Sequence, residues 1–139
     1  MVNSYLKEDI EAINELGVLL NPKFETLFHI DKINPNEKIY VYKENNEILG
    51  FIHIGINYEV VDLLNIIVKK EARNKGIATL IIDYMITDLP ESVQKILLEV
   101  DENNKEAIKL YYKFNFEVIN TRNNYYGSNK ALIMERSLI

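Results

Sequence analysis

No cysteine occurs anywhere in the 139 residues. That absence excludes a disulfide framework, thiolate metal sites and a cysteine nucleophile in one step. Histidine is scarce too: His29 and His53 are the only 2, and their separation in sequence argues against a metal centre. No apolar run at the N-terminus resembles a signal peptide, and none approaches the ~20 residues of a membrane span, so a cytoplasmic chain with no membrane partner is expected. A cationic excess is also missing. The 16 Lys and Arg against 21 Asp and Glu give a net charge of −5. This argues against a nucleic-acid partner, since phosphate backbones demand basic excess. An acidic surface suits a cationic substrate such as an amine, and equally serves solubility.

What is present has globular proportions, 47% apolar and 27% charged. One domain spanning 1–139 is expected, with no repeat, low-complexity tract or linker. Residues 63–79 form the stretch around which the rest is arranged. Leu63, Leu64, Ile66, Ile67 and Val68 read as a buried strand. Lys69, Lys70, Arg73 and Lys75 then crowd into a turn with Glu71 as its acid. After Gly76, the apolar residues Ile77, Leu80, Ile81, Tyr84 and Met85 fall at helical spacing. A strand, a basic glycine-bearing turn and a helix N-terminus together favour an anion: free N–H groups and the helix dipole point at it, and Gly76 lets it approach the backbone. A solvated charged loop before an ordinary amphipathic helix is the other reading of the turn alone.

In chain order, Leu6, Ile10, Ile13, Leu16 and Leu20 predict a first helix ended by Asn21-Pro22. Phe24, Leu27 and Phe28 suggest a short second one. Residues 38–43 and 48–56 read as a hairpin joined at 44–47, with Gly50 and Gly55 as bulge points. A third strand ends at Val68. Beyond the helix from Ile77, residues 96–100 form a short strand parallel to the preceding one. A helical face at Ala107, Ile108, Tyr111 and Tyr112 follows, then strands at 116–120 and 130–138.

Glu99 stands inside an apolar strand. It either lies on a face opening to solvent or serves as a general base at a strand end beside a ligand crevice. Asn103 and Asn104 are both N-cap candidates for the next helix. Tyr111, two turns in, is either a core residue with a satisfied hydroxyl or a proton donor.

Arg73-Asn74-Lys75-Gly76-Ile77-Ala78 resembles the R/Q-x-x-G-x-G/A signature of the GNAT N-acetyltransferases. Leu98-Glu99-Val100, Asn104, Ala107, Leu110-Tyr111, Phe114 and Phe116 resemble that family's L-E-V … N-x-x-A-x-x-L-Y-x-x-x-G-F run. Thr121-Arg122-Asn123-Asn124-Tyr125-Tyr126 and Ala131-Leu132-Ile133-Met134 resemble the ending of its RimI-like subgroup, which acetylates a ribosomal-protein alanine. The resemblance covers residues 63–138; the first 60 match in element order.

The resemblance implies an α/β fold with a mixed sheet, whose antiparallel N-terminal strands lead into a central βαβ cradle for acetyl-CoA. It implies that the backbone of Ile66, Ile67 and Val68 pairs with the pantetheine arm and polarises the thioester carbonyl. Arg73, Asn74, Lys75, Gly76, Ile77, Ala78 and Thr79 would hold the pyrophosphate, and Asn104 would also bind the cofactor. Glu99 would be the base and Tyr111 the acid. Tyr125 and Tyr126 would hold a peptide, hairpin packing being their alternative. Asn115 stands where the family has Gly, and Asn tolerates a left-handed turn. The loop at 127–130 is shorter than usual, with Asn129-Lys130 where the subgroup has an acidic pair.

Direct transfer in a ternary complex fits a chain with no cysteine. The acceptor would be a protein N-terminal α-amine, whose reference pKa of about 8 makes it easier to activate than a lysine at about 10.4. A small amine such as a polyamine or aminoglycoside is the second reading, and a non-catalytic acyl-CoA-binding module the third. The protein would be a monomer or homodimer. Should Glu99 not be the base, His53 is the next candidate, because it titrates near neutrality on a neighbouring strand.

Overall fold

The computed structural model of the chain describes residues 1–126 and 129–139, with the backbone alone at 124–126. Its strands are β1 (Val2–Ser4), β2 (Glu37–Glu44), β3 (Glu47–Asn57), β4 (Val60–Val68), β5 (Lys95–Asp101), β6 (Glu117–Tyr126) and β7 (Asn129–Ser137). Its helices are α1 (Ile10–Leu20), α2 (Phe24–Phe28), α3 (Ile77–Asp88) and α4 (Lys105–Lys113). The strands hydrogen-bond in the order β1-β2-β3-β4-β5-β7-β6. β4 and β5 pair in parallel, whereas β1–β2, β2–β3, β5–β7 and β6–β7 are antiparallel. This is the mixed α/β sheet expected above. β1 lies outside the sequence expectations; at 3 residues it is too short to show a period.

The chain divides into two compact units, Met1–Gly55 with Leu64–Leu89, and Ile56–Leu63 with Pro90–Ile139. In the first, Ile13 and Leu16 of α1, Phe24 of α2, Val41 of β2 and Phe51 of β3 share one buried cluster with Ile67 of β4. Each such side chain contributes on the order of 1.5–3 kcal/mol by leaving water. α1 can lie on Phe24 because position 17 is glycine: a Cβ there would stand 2.3 Å from the Phe24 ring. Phe24 in turn meets Phe28 at 5.2 Å and Phe51 at 5.9 Å between ring centroids. The β2–β3 hairpin turns on Asn45 and Asn46, both left-handed at φ 53° and 65°, the combination a two-residue turn between right-twisted strands requires.

The expected bulge at Gly50 falls one residue away. Tyr42 pairs with Gly50 and Lys43 with Ile48, so Leu49 is the extra residue, and its carbonyl accepts from Lys69 N–H at 2.7 Å. A Cβ on Gly50 would lie 2.9 Å from the Ile67 carbonyl, so the missing side chain permits a close backbone approach. From Gly55 to Gly50 the β2–β3 register runs without a shift. In α3 the buried residues are Ile77, Ile81, Ile82 and Met85, and the Tyr40 hydroxyl donates to Asp88 at 2.5 Å.

In the second unit, Val60, Val61 and Asp62 of β4 pair with Lys95, Ile96 and Leu97 of β5. β5 alternates as its register demands: Ile96, Leu98 and Val100 are buried and Glu99 is exposed. α4 begins at Asn104, whose side-chain oxygen accepts from Ala107 N–H at 3.2 Å. It ends in a turn through Asn115 at φ 65°, with Phe116 N–H returning to the Tyr111 carbonyl at 3.1 Å. Asn115 thus takes the left-handed conformation expected of it.

Candidate active site

In the first unit, β4 ends at Val68 and a 3-10 turn over Lys70–Ala72 leads to Arg73 in extended conformation. Asn74 is left-handed at φ 64°. Gly76 is the N-cap of α3 at φ 77°, with no side chain capping the helix and no acid in its first turn. The first amides of α3 are therefore left to an outside acceptor. A Cβ built on Gly76 meets nothing within 4 Å, so the space in front of this turn is open. Uncapped amides, open space and exposed cations at Arg73 and Lys75 fit a pyrophosphate.

The cations are not equivalent. Lys69 bonds Glu47 at 2.5 Å, and that carboxylate raises its pKa above the ordinary value, so it belongs to the β3–β4 surface. Arg73 Nε donates to the Val68 carbonyl at 3.1 Å, folding the side chain back along the end of β4. Thus Arg73 braces the turn through the strand it follows.

His53 is completely buried on β3. Its Nε2 lies 2.5 Å from Glu37 Oε1, and its Nδ1 is 3.1 Å from Asn65 Nδ2. The Phe28 ring meets the imidazole edge to face at 5.6 Å. Burial pulls the His53 pKa below 6.5, against the upward pull of Glu37. Burial also pushes Glu37 up, but its bonds from Asn34 N–H and from His53 outweigh that and bring it below 4.5. Complete burial favours the neutral ring, with Nε2–H donating to an ionised Glu37. A buried, already bonded imidazole is poorly placed to collect a proton from a substrate.

In the second unit, Glu99 Oε1 accepts from Arg122 Nη1 at 2.9 Å. Both groups keep solvent contact, with side chains 31% and 54% exposed, so the pair remains open to competition by another cation. The pairing of Arg122 with Glu99 has no local signal in the sequence, because the two lie 23 residues apart. Tyr111 is 5% exposed on α4, its ring 5.7 Å from Phe116. Asn104 uses its side-chain oxygen as a cap, and among the described residues its Nδ2 makes no hydrogen bond, leaving a donor for a ligand oxygen. The side chains of Tyr125 and Tyr126, and residues 127–128, lie outside the described residues. Among the described residues, no group of three or more His, Asp or Glu could hold a metal, and no helix is long and apolar enough to cross a membrane.

Comparison with known proteins gives these parts a context. The model of the Acetyltransferase (GNAT) family matches residues 6–116. The [ribosomal protein bS18]-alanine N-acetyltransferase of Haemophilus influenzae is 33% identical over 135 residues, spanning 91% of this chain and 89% of that one. Among solved structures, the ribosomal-protein-S18-alanine N-acetyltransferase from Escherichia coli superposes with a TM-score of 0.91 at 23% identity, covering 99% of this chain and 93% of that one. Arabidopsis thaliana NAA60 in complex with acetyl-CoA does so with a TM-score of 0.83 at 16% identity, covering 99% and 98%. The chain belongs to the GNAT family and is an acetyl-CoA-dependent N-acetyltransferase.

Proposed function

We propose that this single catalytic domain, residues 1–139, acetylates the N-terminal α-amine of a protein by direct attack in a ternary complex. The observation that carries this reading is the 33% identity, over nearly the whole of both chains, with an enzyme named for an alanine of ribosomal protein bS18. A ribosomal protein is accordingly the favoured acceptor class, and the cytoplasm the place of work.

Acetyl-CoA supplies an acetyl group activated as a thioester. The amides of Ile77, Ala78 and Thr79 hold its pyrophosphate, with Asn74, Gly76 and the cations Arg73 and Lys75 around them. Asn104 adds a donor. Backbone N–H groups of the segment from Ile66 through Ile67 to Val68 stabilise charge gathering on the carbonyl oxygen. Glu99 takes the proton that an ammonium must lose before it can attack, and Tyr111 protonates the departing sulfur. The exposed Glu99–Arg122 pair supports this assignment, because an incoming ammonium can compete with Arg122 for the carboxylate. Tyr125 and Tyr126 are assigned to the peptide.

The test is a screen of alanine-initiated peptides beside polyamines, aminoglycosides and free lysine with acetyl-CoA, read by mass spectrometry. Acetylation at the peptide α-nitrogen is expected. Transfer confined to the small amines overturns the peptide reading.

A further inference from the structure

Three polar side chains in the first unit are bonded in a row, Glu37 from β2, His53 from β3 and Asn65 from β4. The transfer chemistry above uses none of them. We propose that Asn65 is a specificity-determining residue that accepts a hydrogen bond from the amine-bearing end of the acceptor, with His53 and Glu37 as the positioning residues that orient its carboxamide.

An ionised carboxylate only accepts, so the nitrogen facing Glu37 carries the hydrogen. The ring is wholly buried and neutral, so Nδ1 presents a lone pair. Its neighbour must donate, which turns the NH2 of Asn65 inward at 3.1 Å. The carbonyl oxygen of the same amide is thereby fixed on the other side. Among the described residues it has no hydrogen-bond partner, and Asn65 is only partly buried. A neutral ring locked between two partners makes this amide a preset acceptor that does not rotate to present NH2.

Position and chemistry then agree. Asn65 directly precedes Ile66 in β4, about 3.8 Å along the chain from the segment assigned to the carbonyl oxygen. A carboxamide oxygen accepts from an ammonium or from a free amine alike. It can hold the acceptor through deprotonation without competing for the proton, which a second carboxylate would do. This inference rests on the acetyl-transfer roles proposed above, but not on the acceptor being a peptide.

The test uses the full chain, acetyl-CoA and whichever amine the wild type acetylates in the screen. Asn65→Ala is expected to raise KM for that amine about tenfold or more, leaving KM for acetyl-CoA and the melting temperature near wild type. His53→Leu, which removes the positioning contact, should reproduce part of the defect. His53→Gln should restore it, since its amide can donate to Glu37 and accept from Asn65 at once. An unchanged acceptor KM in Asn65→Ala overturns the proposal, as does a parallel rise in both KM values, which would mean that β4 has loosened. If His53→Leu does not fold, Asn65→Ala and His53→Gln decide, and a folded His53→Gln with a raised acceptor KM removes His53 from the proposal. Failure of the peptide reading registers separately, as wild-type transfer to small amines alone.

Discussion

Gly76 gives the sharpest handle on the cofactor site, because two effects of substituting it separate. Its backbone sits at φ 77°, where an alanine costs about 1–2 kcal/mol of stability, or a few degrees of melting temperature. Asparagine should cost less, since Asn45, Asn46, Asn74 and Asn115 adopt this conformation elsewhere in the chain. Neither meets a steric obstacle, for a Cβ finds nothing within 4 Å. That open space is where a pyrophosphate would approach the first amides of α3. A Cβ there should disrupt at least one charge-assisted N–H bond of about 1.5–3 kcal/mol, weakening Kd roughly 10- to 100-fold. An aspartate adds a like charge and should weaken it further. Calorimetric titration of coenzyme A into wild type, Gly76→Ala, Gly76→Asn and Gly76→Asp, beside thermal melts without ligand, separates strain from ligand exclusion. Affinity should fall in Gly76→Asn although its stability is nearly kept. The reasoning is refuted if Gly76→Asn and Gly76→Asp bind as tightly as wild type, or if affinity simply follows melting temperature.

Three further outcomes are expected. Glu99→Gln should slow transfer by about 10²–10⁴ near neutral pH; the deficit should shrink above pH 8 for an α-amine, as the free amine becomes abundant, and persist higher for an alkyl amine. A profile matching wild type with a verified acceptor would make Glu99 an outward-facing strand residue. Tyr111→Phe should keep the fold and coenzyme A affinity while lowering kcat; a loss of melting temperature instead assigns the hydroxyl to core hydrogen bonding. Finally, the His53 pKa in the folded chain lies below 6.5, so as pH falls through 6.5 the unfolded chain gains the proton first and stability declines toward the folded pKa. Glu37, held below 4.5, adds its own loss only below that pH. Urea titrations between pH 7 and 5 should therefore show a shallower decline for His53→Gln than for wild type; equal slopes would mean that His53 does not stay neutral.

Local sequence carried the elements whose physics is local. The left-handed turn at Asn115, the hairpin at Asn45-Asn46 and the strand–turn–helix at Gly76 each depend on residues within a few positions. Glu99 was conspicuous for the same reason, as an acid within the apolar run of β5. What sequence could not show were partners chosen by sheet register. Arg122 reaches Glu99 over 23 residues, and His53 reaches Glu37 over 16 and Asn65 over 12. Lys69 looked like one cation of the turn until β3 brought Glu47 to it. His53, a reserve base on titration grounds, is enclosed because β3 places it on a face sealed by Phe28.

The side chain missing at position 17 has a reach beyond α1. Phe24 occupies the room a side chain there would take, its ring abuts Phe28, and Phe28 closes over the imidazole of His53. A methyl group added at Gly17 must displace Phe24, and in a close-packed interior that displacement is passed from ring to ring. The setting of His53, and with it the orientation of the Asn65 amide, therefore depends on a residue that touches neither. Variation at Gly17 is a route by which acceptor preference could drift while every polar group of the site stays the same.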